Sequence, residues 1–121
     1  MIPSGVRIFV CVEPVDMRLG FDRLARLARE RVGRDPVEGG ALFVFGGRKR
    51  SRLKVLWYDR NGLCLLYKRF HQASFELPLA ASGQRALHID GAALGALLAG
   101  VAAPAPAPAR GESEHQVQVS A

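Results

Sequence analysis

Between Ala41 and Phe70 the chain passes through three β-forming stretches joined by short connections, and few folds accommodate that pattern. Ala41–Phe45 is the first stretch, and Gly46-Gly47-Arg48-Lys49-Arg50-Ser51 connects it to Arg52–Tyr58. Asp59-Arg60-Asn61-Gly62 then leads into Leu63–Phe70. Those four residues are turn chemistry: Asp opens turns, and Asn and Gly tolerate positive φ. Three strands on tight connections predict an antiparallel meander. Side chains alternate between the two faces of a strand. Arg52, Lys54, Leu56 and Tyr58 therefore share one face, with Leu53, Val55 and Trp57 on the other. Lys68 falls with Cys64, Leu66 and Phe70, and Arg69 with Leu63, Leu65 and Tyr67. Pairing around residues 59–62 brings the basic ends of both strands to the 46–51 loop.

The flanking sequence supplies further elements. Val6–Val12 is β-branched between Gly5 and Pro14, and its nearly unbroken apolar run predicts a strand covered on both faces. Phe21, Leu24, Leu27, Ala28 and Val32 form one apolar stripe, predicting a helix over 17–32 with Asp16 as its cap and Gly33 as its stop. Gly20 weakens the first turn by up to ~1 kcal/mol, which makes a later start with Asp22 as cap the competing reading. Phe75-Glu76-Leu77-Pro78 reads as a short edge segment. Ala86–Gly100 reads as helical in its second half, with Asp90 as N-cap and Leu94, Leu97 and Leu98 as its apolar stripe. The expected fold is α+β: a small antiparallel β-meander of four to five strands, packed with one N-terminal amphipathic helix and a short C-terminal helix. A single domain over 1–101 is expected, followed by a Pro/Ala-rich, disordered tail over 102–121, where Pro104, Pro106 and Pro108 alternate with Ala.

Length supports that reading, because 121 residues suffice for one domain with its own core. Cys11 and Cys64 stand far apart without metal-ligand spacing, which argues against a disulfide scaffold or a zinc ribbon. No apolar run approaches the ~18–20 residues of a membrane span, and Met1–Arg7 lacks the order of a signal peptide. A soluble, cytoplasmic protein is expected.

The charge is concentrated. The chain carries 17 Lys and Arg against 11 Asp and Glu. Residues 48–69 alone hold Arg48, Lys49, Arg50, Arg52, Lys54, Arg60, Lys68 and Arg69 against Asp59. A localised patch of that kind attracts polyanions, whereas a scattered excess mainly keeps a protein soluble. The plainer reading is a solvated hairpin that is basic without consequence. Arginines at 48, 50 and 52 suit bidentate phosphate contact, which gives affinity without sequence choice. Phe43, Phe45, Trp57, Tyr58, Tyr67 and Phe70 lie nearby and are candidates for base stacking, although core packing accounts for Phe43, Phe45 and Trp57 more simply.

Catalytic patterns are missing from the reading. The chain has no phosphate-cradling GxxxxGK[ST], no GxSxG and no HExxH. Cys64 and His71 read as a packed thiol and a strand-end polar residue rather than a nucleophilic pair. Glu13, Asp16, Asp22 and Asp59 are the carboxylates a Mg²⁺ nuclease would need, but Asp16 and Asp22 have capping explanations and Asp59 a turn explanation. The expectation is a protein that is not an enzyme and needs no cofactor or metal.

Several blocks in order carry a family resemblance. They are Val6-Arg7-Ile8-Phe9, Asp16-Met17-Arg18-Leu19-Gly20-Phe21-Asp22, Leu42-Phe43-Val44-Phe45 with Arg48, Lys54 through Gly62, Tyr67-Lys68-Arg69-Phe70 and Phe75-Glu76-Leu77-Pro78. Over about residues 1–100 the chain resembles the TnpB accessory proteins of the insertion-sequence-sixty-six transposon family, which are unrelated to the RNA-guided nucleases of the same label. The resemblance implies a bacterial accessory factor of DNA transposition, working beside a transposase that carries the catalytic carboxylates and a further small accessory protein. Asp16, Arg18 and Phe21 match the family's first block, and Lys54, Trp57, Asp59, Gly62, Lys68 and Arg69 its second. The chain departs at Phe70-His71-Gln72, where the family usually has Leu, an acidic residue and often Gly. Two functions follow as expectations: DNA binding through the eight cations of 48–69, or an adaptor that docks the same face on the transposase, with Asp16, Arg18, Phe21, Trp57, Asp59 and Gly62 as motif or interface residues. A Mg²⁺ nuclease is the third and weakest reading.

Overall fold

In the computed structural model, which describes residues 5–78 and 80–102, the chain forms a five-stranded sheet held between two helices. The elements are β1 (Arg7–Cys11), α1 (Phe21–Leu27), β2 (Ala41–Gly46), β3 (Arg52–Asp59), β4 (Gly62–Arg69), β5 (Ala73–Ser74), β6 (Ala86–Ile89), α2 (Gly91–Ala99) and β7 (Val101–Ala102). The sheet order is β4-β3-β2-β1-β6, and β5 and β7 form a separate antiparallel pair. The expected meander is present in β2, β3 and β4, each antiparallel to the next.

Two features extend the meander beyond the sequence expectation. β1 joins β2 in parallel, Arg7 opposite Ala41 through Cys11 opposite Phe45. Parallel neighbours need a long crossover, and residues 12–40, which carry α1, provide it. β6 adds antiparallel to the other side of β1, so Ala86–Ile89 is a strand that precedes the C-terminal helix. The edge segment expected at 75–78 falls instead on Ala73–Ser74.

Helix boundaries follow local chemistry. α1 begins at Phe21 with Gly20 at its N-cap and no side-chain cap bond, so neither Asp16 nor Asp22 caps it. Asp22 lies in the first turn, where a carboxylate meets the positive end of the helix dipole. Residues 28–32 continue as a π-helical turn that ends at Gly33, whose φ of 83° is readily adopted by glycine. α2 is capped as expected: Asp90 Oδ1 accepts from Ala93 N at 2.8 Å. In the 59–62 turn the positive φ falls on Arg60, at 58°, and neither Asn61 nor Gly62 has one.

Both faces of the sheet are buried. Cys11, Phe43, Phe45 and Leu56 pack with Leu24, Ala25 and Ala28 on the α1 face. Ile8, Val10, Val44, Leu53 and Val55 pack with Phe70, Phe75, Leu94 and Leu97 on the α2 face. This double cover explains why β1 and β2 are apolar almost throughout. Phe43 and Phe45 are core residues, and Trp57 is half-buried against the α2-face cluster. No helix is long and apolar enough to cross a membrane among the described residues. The Pro/Ala-rich segment lies outside the described residues except for Ala102, which pairs with Ala73.

Candidate nucleic-acid interface

The connection between β2 and β3 is held on several sides. Gly47 N donates to Arg52 O at 3.0 Å and Arg50 N to Gly47 O at 3.2 Å, closing the loop on itself. Val15 N donates to Gly46 O at 2.9 Å from one flank. From the other, Phe75 N donates to Arg50 O at 3.0 Å and Phe70 N to Ser51 O at 2.7 Å. The two glycines make these approaches possible. A Cβ on Gly46 would meet the Phe75 ring at 2.6 Å, and one on Gly47 would meet Met17 Cγ at 2.9 Å. Sequence reading assigns neither Phe75 nor Met17 to this region. The adjacent glycines are the signal that was available, since paired glycines mark places where other groups come close.

Five of the eight cations gather at this end of the sheet. Arg48, Lys49 and Arg50 occupy the loop, and Arg52 lies directly opposite Arg69 across β3 and β4. All five are exposed. Among the described residues none of them forms an ion pair, although Arg18, Arg29, Arg31 and Arg85 all find carboxylates. Like charges directly opposite each other in a sheet destabilise it by a few tenths of a kcal/mol or more, so Arg52 and Arg69 do not serve the fold. An anion placed between them would relieve the repulsion.

The other three cations are placed differently. Lys54 is only 7% exposed, and its Nζ donates to Leu19 O at 2.8 Å while lying 4.7 Å from the centre of the Tyr67 ring. It ties β3 to the segment before α1. Lys68 projects to the opposite face and donates from Nζ to Leu98 O near the end of α2, over the Phe70 ring. Arg60 is exposed in the 59–62 turn, at the far end of the β3–β4 hairpin. Alternation predicts correctly that Lys68 and Arg69 face apart, but Arg52 and Lys54 share a face and still have different roles. Lys54→Ala is therefore expected to lower unfolding free energy by about 1–3 kcal/mol, because the Leu19 carbonyl loses its donor, without changing the salt dependence of any polyanion binding at the basic end. Urea denaturation and titrations at several salt concentrations measure the two effects separately.

A cleft of about 580 Å³ separates the loop from the segment before α1, with Arg48, Lys49 and Arg52 on one wall and Val15, Asp16 and Met17 on the other. Asp16 is neutralised locally. Its Oδ1 accepts from Arg18 N at 2.9 Å and Arg18 Nε at 3.1 Å, and its Oδ2 from Arg18 Nη2 at 2.9 Å. These bonds hold the Asp16 carboxyl at about 2, below its ordinary 3.8. Folding thus favours the ionised form: the contribution is complete above the ordinary value and is lost as pH falls toward about 2. In Arg18→Ala, carboxyl NMR titration is expected to find Asp16 raised only part of the way toward the usual carboxylate range, because the backbone N–H of residue 18 still donates to Oδ1. Arg18 itself stands out from the surface with 90% of its side chain exposed.

The remaining motif residues lie elsewhere. Phe21 is exposed at the start of α1. Trp57 lines a mainly apolar groove on the α2 face with Leu66, Leu94 and Leu98, and Asp59 and Gly62 close the far hairpin turn. Cys64 sits mid-strand in β4, whereas His71 lies beyond the end of that strand. No group of three or more His, Cys, Asp or Glu residues able to hold a metal ion occurs among the described residues.

A family model described as IS66 Orf2 like protein matches residues 6–107. That match extends past the region of about 1–100 over which the sequence blocks resemble the family, into the first Pro-Ala repeats. Among curated proteins, the uncharacterized protein y4hO of Sinorhizobium fredii (strain NBRC 101917 / NGR234) is 43% identical over 103 residues, 84% of this chain and 87% of the relative. The uncharacterized protein y4jC of the same organism is 33% identical over 97 residues, 80% of each chain. No solved structure matches.

Proposed function

We propose that this chain, which belongs to the IS66 Orf2-like family, is a non-catalytic accessory protein of DNA transposition that holds DNA by its phosphates. The observation that carries this reading is the gathering of Arg48, Lys49, Arg50, Arg52 and Arg69 at one end of the sheet, exposed and without carboxylate partners among the described residues. Lys54 and Lys68 are committed to backbone carbonyls and drop out of the contact set. Arg60, at the far turn, reaches DNA only if the duplex runs along the whole hairpin.

The surroundings of these cations favour phosphate contact over base stacking. Phe43, Phe45, Phe70 and Phe75 are buried, and Tyr67, the exposed aromatic on the strand of Arg69, already has the Lys54 ammonium over its ring. Contacts of this kind position a protein on a duplex without reading its sequence. In the complex, a transposase supplies the catalytic carboxylates and a further small accessory protein completes the machinery, as the family resemblance implies.

A gel shift with purified protein on transposon-end DNA, with and without the transposase, tests the assignment. A shift by the protein alone at moderate salt is the expected result. A shift only in the presence of transposase would instead make the basic end a docking surface for an acidic region of that partner. Metal-dependent cleavage of plasmid by the purified protein would overturn the non-catalytic part of the reading.

A further inference from the structure

β4 is an edge strand, its outer backbone unpaired among the described residues. The register places Ser51 opposite Phe70, and Phe70 N donates to Ser51 O at 2.7 Å. Backbone direction alternates along an antiparallel strand, so Gly62, Cys64, Leu66 and Lys68 bond inward to β3. Leu63, Leu65, Tyr67 and Arg69 then direct their N–H and C=O groups outward. Among the described residues no hydrogen bond from a turn, loop or side chain reaches these outward groups.

Natural edges are blunted by charge, proline, bulges or short length. β4 spans eight residues in unbroken register with β3, and its first six, Gly62–Tyr67, carry no charge and no proline. At its middle, Leu66 is 39% and Tyr67 50% exposed. Both ends of the sheet behave differently: β6, the other edge, is only four residues long.

We propose that β4 pairs antiparallel with β4 of a second copy of this chain, about a two-fold axis at Leu66, to give a continuous ten-stranded sheet. The choice of occupant rests on the strand's own chemistry. A parallel partner would set Lys68 and Arg69 beside their equivalents, whereas the antiparallel two-fold sets them against the partner's uncharged Leu63 and Cys64. Centring on Leu66 pairs Leu65 with the second copy's Tyr67 and Leu63 with its Arg69, so every outward backbone group finds a partner. Centring on Leu65 would leave Arg69 unpaired. The Leu66 centre also keeps faces in register, with leucine against leucine on the side of the Trp57 groove. This proposal is independent of DNA binding, because the phosphate-binding side chains are not needed for strand pairing.

Sedimentation velocity of the full chain across a wide concentration range is the first measurement, and a dimer is expected. Leu66→Lys, which places two ammonium groups across the axis, is expected to weaken association by about tenfold or more. Tyr67→Pro removes an outward N–H while leaving the bonds to β3 intact, and is likewise expected to shift the population to monomer with an unchanged circular dichroism spectrum. Across the axis the Leu66 Cα atoms lie in a non-hydrogen-bonded pair, about 4.5 Å apart, within disulfide reach. Leu66→Cys in a Cys64→Ser background is therefore expected to form a covalent dimer under mild oxidation. Sedimentation as one chain at all concentrations, or a dimer indifferent to both Leu66→Lys and Tyr67→Pro, overturns the proposal whatever the outcome of the gel shift.

Discussion

Replacing Arg48, Lys49 and Arg50 together with alanine is expected to remove most of the salt dependence of DNA binding. If the five gathered cations each neutralise one phosphate, log K falls with log salt at a slope of about −4.5, from roughly −0.9 per contact. The wild type then loses affinity by about 500-fold between 50 and 200 mM salt. With Arg52 and Arg69 alone the slope is about −1.8 and the same interval costs about 10-fold. The fold should survive, because the loop is fastened by its backbone: Gly47 N to Arg52 O, Phe75 N to Arg50 O and Phe70 N to Ser51 O need none of the three side chains. Arg50 has a φ of 60°, and alanine is no more at ease there than arginine, so any stability change is small. Its guanidinium also lies 5.8 Å from the Phe75 ring centre, an exposed contact worth about 0.5–1 kcal/mol. Fluorescence anisotropy on a labelled duplex at four or five salt concentrations yields both slopes. An unchanged slope in the triple variant removes the loop from the interface and leaves the proposed function without its principal support.

The clustering of those cations was legible before the fold was known, because it depends on one hairpin. Adjacent strands with short connections pair with their neighbours, and alternation then assigns each side chain to a face. The opposition of Arg52 and Arg69 follows from the turn at 59–62 alone. The Asp90 cap was equally legible, since capping is decided within three residues. What depended on distant parts of the chain was not. Lys54 and Arg52 occupy equivalent positions on one strand, and only the Leu19 carbonyl, 35 residues away, makes the first a buried tie and leaves the second exposed. Lys68 is drawn inward by Leu98 in the same manner, across 30 residues. β6 is too short to announce itself by alternation and becomes a strand by pairing with β1. The parallel pairing of β1 and β2 is set by the path of the 12–40 crossover, which local propensity does not specify. Asp16 looked like a helix cap because capping residues and turn-forming residues are the same short polar types; here its acceptors are filled by Arg18.

Phe75→Ala is expected to be the most damaging single substitution in the chain, because one ring joins the core to the basic loop. Phe75 is 2% exposed, packs with the α2-face cluster and lies 5.8 Å from the Phe70 ring. Its ring occupies the space over Gly46 that any larger residue would fill, and its backbone N holds Arg50 O at 3.0 Å. Truncating a buried phenylalanine costs about 3–5 kcal/mol, against a total stability of about 5–15 kcal/mol for a domain of this kind. The melting temperature should fall by roughly 12–40 °C, since about 1 kcal/mol corresponds to about 4–8 °C at this size. Gly46→Ala approaches the same contact from the other side and should also destabilise, because the inserted Cβ meets ring carbons of Phe75 rather than a yielding side-chain tip. The double variant distinguishes a shared contact from two separate defects: with the ring gone, the methyl at position 46 has room, and its cost should shrink markedly. Independent additivity in that cycle, or a Phe75→Ala protein that melts within a few degrees of wild type, would mean that the loop is held by its hydrogen bonds alone and that the ring does not couple it to the core.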